Sequence, residues 1–285
     1  MALELQKILS NMSTLKDNGH DLRISNWYGR GGSHIKQLVY AAFVAEATKS
    51  SLTFPVHGWI DGQKLSFKTS TQPGTIISKC FFYGKDLLGH IPTQFDVYRI
   101  GREHINPLLL CPQKELPDDQ LTIHIRSGDI FRAAPHKAYV QPPFSFYRKI
   151  ISDGNYKNIV IVTDHRSKNN PCIVPLQKSF NAKMVSIDTI TDFGFLLSSP
   201  NLVLSKSNFP LSASWISKKL KNLYVHVIEG TQPIAKLQIE RLRDYGINIH
   251  QYSIARYIPF KCWTASAKQI KLMLTHRANN ISAIK

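Results

Sequence analysis

The residues HIRSGD, 124–129, place a histidine and an arginine on one face of an extended segment and then leave it through a serine, a glycine and an acid. Arg126 could grip a phosphate with its planar fork, and His124 shares its face. The plainer alternative is a polar pair on a strand exposed on one side. Three further segments carry groups of the same kind. In VTDH, Thr163 and Asp164 end a second apolar run and would face the same side as Arg126 if the two strands are parallel neighbours; otherwise they cap the next turn. In LSKSNFPLSASW, Ser207 or Asn208 can cap a helix whose first turn suits Pro210, and such a helix start after a parallel strand can cradle a phosphate. A well-capped structural helix is the alternative there. In NWYGRGGSHIKQ, Gly29, Gly31 and Gly32 precede a helix expected to begin near Ser33, where glycines would let a ligand approach the backbone. An ordinary glycine turn explains that segment as well, since it is neither GxGxxG nor a Walker loop. No DxD triplet, GxSxG elbow or HExxH pair occurs, which weighs against a cation-held diphosphate and against hydrolases.

These groups need elements to hold them. From residue 120 the pattern alternates short apolar runs with helical spacing: QLTIHIR strand, PFSFYRKIISDG helix, KNIVIVTDH strand, IVPLQKSF short helix, AKMVSID strand. It continues with TITDFGFLLSS as helix capped by Thr189, NLVLSKS strand, PLSASWISKKL helix, NLYVHVIEG strand, PIAKLQIERLRDYG helix and INIHQYSI strand. Such alternation predicts parallel βαβ units and a doubly wound sheet. Earlier in the chain, Ile35, Leu38, Val39, Ala42, Phe43 and Glu46 give helical spacing, and SSLTFPV and SKCFFYG read as strands. The segment 108–120, LLLCPQKELPDDQ, has prolines, charges and no period, and reads as a linker between an amino-terminal α/β domain, 1–115, and a carboxyl-terminal one, 120–285.

The 285 residues allow one large or two ordinary domains, and 43% hydrophobic content describes a globular chain. No apolar run approaches the roughly 20 residues of a membrane helix. The first 23 residues carry charges throughout without a continuous apolar stretch, so no signal peptide is expected. Cys80, Cys111, Cys172 and Cys262 are far apart, without metal spacing, and read as free thiols of a reducing compartment. The formal charge of +17 calls for an anionic partner: nucleic acid, an anionic membrane surface or a phosphorylated substrate. Basic residues are scattered, apart from Lys218, Lys219 and Lys221 and the pair Arg241 and Arg243; with no RGG tract or zinc finger, nucleic acid is not the expected partner.

Taken in order, three segments resemble motifs of one family. HIRSGD is similar to the HxRxGD motif of the fucosyltransferase superfamily, above all its α-1,2-fucosyltransferase branch. GGSHIKQLVYAAFVA (31–45) resembles that branch's early glycine motif, with Gly32 and Gln37 matching, and DFGFLLSSPNLVLSKSNFPLSASW (192–215) resembles its late motif. The chain departs at Ser127, where a second arginine is usual, at Ser33, where asparagine is, and at Asn208 with Pro210-Leu211, where a serine-rich segment is. The resemblance implies two Rossmann-like lobes of GT-B type with a nucleotide-sugar cleft between them, and an inverting, metal-independent transferase without cofactor. It implies that a GDP-sugar, with fucose favoured, binds the carboxyl-terminal lobe and that a glycan or lipid-linked glycan accepts the sugar. Arg126 would hold the β-phosphate, Gly31 and Gly32 would approach the donor from the other lobe, and His124, Thr163, Asp164, Ser205, Ser207 and Asn208 would complete its site. Asp129 and His136 are the candidates for the base that takes the acceptor's proton. The expected setting is cytoplasmic, with peripheral contact at an anionic membrane, in a bacterial or viral source. A UDP-sugar donor, an inactive scaffold of the same fold and a basic nucleic-acid-binding protein are the competing readings.

Overall fold

The computed structural model describes residues 20–67, 72–77, 88, 92–230, 243–257 and 262–284. The chain is a mixed α/β protein with one four-stranded and one seven-stranded sheet. It divides into two compact units, Met1–Leu110 and Cys111–Lys285.

In the first unit the strands β1 (His20–Ile24), β2 (Ser51–Thr53), β3 (Lys64–Ser66) and β4 (Gln72–Ile77) lie in the order β3-β2-β1-β4. β1 is parallel to both β2 and β4, and β3 is antiparallel to β2. Helix α1 (Gly31–Ala47) links β1 to β2 and is buried along most of its length, as the run LVYAAFVA requires. It starts at Gly31, two residues before the expected Ser33. A second helix, α2 (Gln94–Ile100), opens with a capping box between Thr93 and Asp96. Arg99 on α2 pairs with Glu46 at the end of α1, and the pairing holds the Glu46 carboxyl below its usual range.

The second unit is built on β5 (Gln120–His124), β6 (Asn158–Val162), β7 (Lys183–Val185), β8 (Asn201–Val203), β9 (Asn222–Ile228), β10 (Asn248–Ile254) and β11 (Ile281–Ile284). Their order is β7-β6-β5-β8-β9-β10-β11. The first six are mutually parallel, as the alternating pattern predicts, while β11 closes the sheet antiparallel to β10. From β5 the chain moves outward through β6 and β7, then returns to the other side of β5 as β8. That reversal makes the β5–β8 boundary the topological switch point of the sheet, where open α/β sheets bind ligands beyond their carboxyl ends.

Helices cover both faces. Leu121, Ile123, Ile161, Val203 and Tyr224 share a core with α3 (Phe144–Asp153), α4 (Ile173–Phe180) and α7 (Ala267–Thr275) through Phe146, Leu176 and Met273. On the other face α5 (Thr189–Leu197) and α6 (Asn208–Ile216) meet at Phe193 and Phe209, whose ring centroids are 5.2 Å apart. Every residue of β5 is therefore buried, so the half-exposed strand drawn as the alternative for residues 121–126 is not what forms. The cap of α5 is Asp188, whose carboxylate accepts from the Thr191 amide, one residue before the expected Thr189. Ser207 caps α6, one of the two caps expected. Of the remaining expectations, SKCFFYG (78–84) and residues 233–242 of the PIAKLQIERLRDYG helix lie outside the described residues, as do Cys80, Arg241 and the first 19 residues. Arg243–Tyr245 form a 3-10 turn. Among the described cysteines, Cys111, Cys172 and Cys262 are free thiols.

Candidate functional site

β5 ends at His124, and the chain turns sharply through Ser127 and the 3-10 turn Gly128–Phe131. Gly128 stands at φ +78°, where a side chain is strained, and an added Cβ would lie 3.3 Å from an Asp164 carboxylate oxygen. Its amide donates to Asn169 Oδ1 (2.8 Å), and Asn170 Nδ2 donates to the Arg126 carbonyl (2.9 Å). This turn brings Asp129 back under Arg126. The guanidinium donates through Nε and Nη2 to the two Asp129 oxygens (3.3 and 2.9 Å), and through Nη1 to the Lys206 carbonyl (3.3 Å). Its flat face lies 3.9 Å from the centre of the Tyr139 ring. The Arg126 side chain is 14% exposed.

Lys206 belongs to the loop between β8 and α6, so the Nη1 bond crosses the switch point. A second bond crosses it too: His124 Nδ1 lies 2.6 Å from Ser205 Oγ, both groups buried. Burial, and then the nearby Arg126 charge, push His124 down to about 3, so its imidazole is neutral. Ser207 Oγ accepts from the Phe209 amide at the start of α6, and Asn208 is the first helical residue.

The predicted site residues thus separate into groups. Arg126, Asp129, His124, Ser205, Ser207 and Asn208 come together around the β5–β8 boundary. His136 joins them through Tyr139: its exposed ring lies 4.7 Å from the tyrosine ring that carries Arg126. Both Asp129 oxygens are occupied by the guanidinium, so Asp129 would have to release it before acting as a base. Thr163 is buried, and its hydroxyl bonds that of Ser127 at 2.7 Å. Ser127 is therefore part of the framework between β5 and β6. Asp164 accepts from the amide and Nε of Arg166, closing the turn after β6. Asp164 thus makes the turn contact that was the alternative for VTDH, while the Thr163 hydroxyl ties the exit of β6 to that of β5.

Gly31 and Gly32 belong to the first unit. Gly31 is covered by Trp59, whose ring would lie 2.0 Å from an added Cβ, so this glycine makes room for an aromatic side chain. Gln37 accepts from the Tyr28 amide and donates to the Asn26 carbonyl, both at 3.1 Å, which pins the glycine loop to α1. A second clasp joins that loop to the one after β2. His34 Nδ1 lies 2.9 Å from His57 Nε2, the remaining His34 nitrogen faces the Gly29 carbonyl (3.1 Å), and His57 Nδ1 accepts from the Trp59 amide (3.1 Å). The Trp59 bond sets the direction: His57 donates to His34, and His34 donates to Gly29. Burial lowers both imidazoles, His57 to about 4 with a further contribution from His34.

Three residues of the second site were not singled out by sequence reasoning. Lys206 sits between two residues that were, Tyr139 carries no motif of its own, and His226 is buried on β9. The His226 ring packs edge-on against Phe146 of α3, with centroids 5.5 Å apart. No group of three or more His, Cys, Asp or Glu side chains able to hold a metal ion occurs among the described residues. No helix among them is long and apolar enough to cross a membrane. The chain matches no family model, and no curated protein sequence matches it.

Proposed function

We propose that this chain is an inverting glycosyltransferase that moves a sugar, with fucose favoured, from a nucleotide diphosphate donor to a glycan acceptor without a metal ion. The observation that carries the reading is the position of Arg126: it stands at the switch point of a Rossmann-ordered sheet, bonded across it to the loop that opens α6. A parallel sheet in that order offers a nucleotide a crevice and a helix amino terminus, and the arginine supplies the charge. The two units would act as the lobes of a GT-B enzyme, with the acceptor on the first and the donor on the second.

In the proposed reaction an acceptor hydroxyl attacks the anomeric carbon from the face opposite the diphosphate. The bond to the sugar breaks with its electron pair going to the diphosphate, and the hydroxyl proton passes to a base. Arg126 meets the charge developing on the leaving group, held in place by Asp129 and Tyr139 so that it need not reorganise. His136, exposed beside Tyr139, and the partly exposed Asp129 are the candidates to take the proton.

The test is thermal stabilisation by GDP, UDP, CMP and dTDP, followed by transfer assays with the matching sugar nucleotides. A ligand at a hundred times its dissociation constant adds about 2.7 kcal/mol. Stabilisation by one nucleoside diphosphate is the expected result; none from any of them would remove the reading. The charge of +17 favours one rival, a nucleic-acid binder. Tight oligonucleotide binding with a steep salt dependence would support it.

A further inference from the structure

The positive charge of this chain is not evenly spread. No Asp or Glu follows Asp244, whereas Arg256, Lys261, Lys268, Lys271, Arg277 and Lys285 do. The described part of that stretch folds as β10, α7, the 3-10 turn Ala278–Asn280 and β11, which closes one edge of the larger sheet.

Within it, α7 sorts its residues by side. Ser266 caps the helix by accepting from the Gln269 amide, Met273 is buried, and Ile270 and Leu272 are partly so. At about 100° per residue, Leu274, Ala267, Lys271, Thr275 and Lys268 follow one another round an arc of roughly 120°. All five are exposed, Leu274 by 37%. The chain then turns at buried His276, whose Nε2 faces the Ala255 carbonyl and whose Nδ1 lies 2.9 Å from Ser145 Oγ on α3. Arg277 comes next and is exposed, as is Arg148, one turn along α3 from Ser145. Among the described residues none of these four cations makes an ion pair. The one acid of α3, Asp153, is held by Lys149 at 2.6 and 2.8 Å. The lysine cluster elsewhere differs: Lys219 pairs with Glu115, and Lys221 with Asp118.

A face of unpaired cations attracts an anionic surface, and its other side chains say which one. Proteins that hold nucleic-acid strands stack bases on aromatic rings, whereas Tyr252, Tyr257 and Trp263 of this stretch are all buried. An exposed leucine among cations suits a lipid layer, whose headgroups pair with the charges while the apolar side chain enters the acyl boundary.

We propose that the face made by α7, Arg277 and Arg148 docks this protein on an anionic membrane surface, with Lys268, Lys271, Arg277 and Arg148 meeting lipid phosphates and Leu274 entering between the headgroups. The proposal stands on the surface of the second unit and does not depend on sugar transfer.

Co-sedimentation of the whole chain with phosphatidylcholine vesicles, with and without phosphatidylglycerol, tests it. The wild type should bind only the anionic vesicles, and salt should weaken the binding. A basic residue close to an anionic leaflet contributes about fivefold in affinity, so the triple variant Lys268→Gln/Lys271→Gln/Arg277→Gln should lose on the order of a hundredfold. The triple variant Lys49→Gln/Lys114→Gln/Lys218→Gln removes the same charge from exposed lysines elsewhere and should lose far less. Leu274→Ser should weaken binding by a factor that persists in high salt. Every replaced residue is exposed, so melting temperatures should stay at the wild-type value. Absence of wild-type binding to anionic vesicles, or equal losses in the two folded triple variants, overturns the proposal. Oligonucleotide binding that only the first triple variant loses, with its vesicle binding intact, gives the face to nucleic acid and overturns the proposal as well. Vesicle binding through this face with no sugar-nucleotide turnover counts for the docking surface and against the transfer reading.

Discussion

Arg126 is fixed by an acid three residues away, by a tyrosine thirteen residues away and by a carbonyl eighty residues away, and each partner restricts a different freedom of its side chain. A guanidinium held in this way can meet developing charge without first being organised. Arg126→Ala should lower transferase turnover about a hundredfold, the scale of losing one strong transition-state contact. Lysine keeps the charge and loses the fork, so Arg126→Lys should recover only part. His124 bonds Ser205 and lies within the sheet, so His124→Ala should cost stability more than turnover. Steady-state kinetics beside thermal melts separate the two effects; near-normal turnover in folded Arg126→Ala would discard the phosphate role. The arginine was legible because HIRSGD is contiguous. Lys206 was not, because one lysine in a chain with 36 basic residues has no local signature. The setting of His226 depends on β8 and β9 lying side by side, which no spacing within either segment reveals.

Among elements, β5, β6, β8 and β9 of the second unit were legible because each is a short, largely buried apolar run. A strand buried on both faces reads as a near-continuous apolar run. The strands of the first unit were harder to read. β1, HDLRI, is broken by two charges, β2 has three residues, and β3, paired with β2 at the sheet's edge, exposes Lys64 and Ser66. The antiparallel β11, ISAI, follows RANN and resembles a loop, since three of its four residues are exposed. Close packing between elements gives a sharper test. Gly194 on α5 lies against Pro112, where an added Cβ would come within 2.2 Å of the backbone oxygen. Since neither a helix backbone nor a proline carbonyl yields easily, Gly194→Ala should destabilise the protein by about 1–3 kcal/mol. Gly128→Ala, strained by its φ, should cost about 1–2 kcal/mol. Urea melts would measure both, and wild-type midpoints would contradict the packing described.

For the whole molecule, buried and half-buried histidines set the response to acid. His124 and His226 are held down to about 3 and His57 to about 4, against 6.5 when unfolded. The unfolded chain therefore binds more protons than the folded one between those values, and stability falls as pH drops through that window. Asp192, pushed up to about 6 mainly by burial, works in the opposite sense: its contribution is present at low pH and lost as pH rises through 6. Three histidines outweigh one acid, so urea midpoints should climb from pH 4 to pH 6.5 and then level off. His226→Phe should flatten that climb, and an unchanged slope would show that the ring is already charged. Activity should survive EDTA; loss that magnesium or manganese restores would end the metal-independent reading. One consequence of the open sheet concerns how copies of the chain avoid one another. A sheet that does not close leaves rows of unpaired amides and carbonyls, which are templates for stacking into aggregates. β7 is only three residues long and opens with exposed Lys183, while β3, at the edge of the smaller sheet, opens with exposed Lys64. With a charge of +17 on every copy, two such edges repel before they can zip together. The same positive charge that would draw in a phosphorylated ligand thus opposes edge-to-edge pairing of copies, and Lys183→Val should speed turbidity on heating.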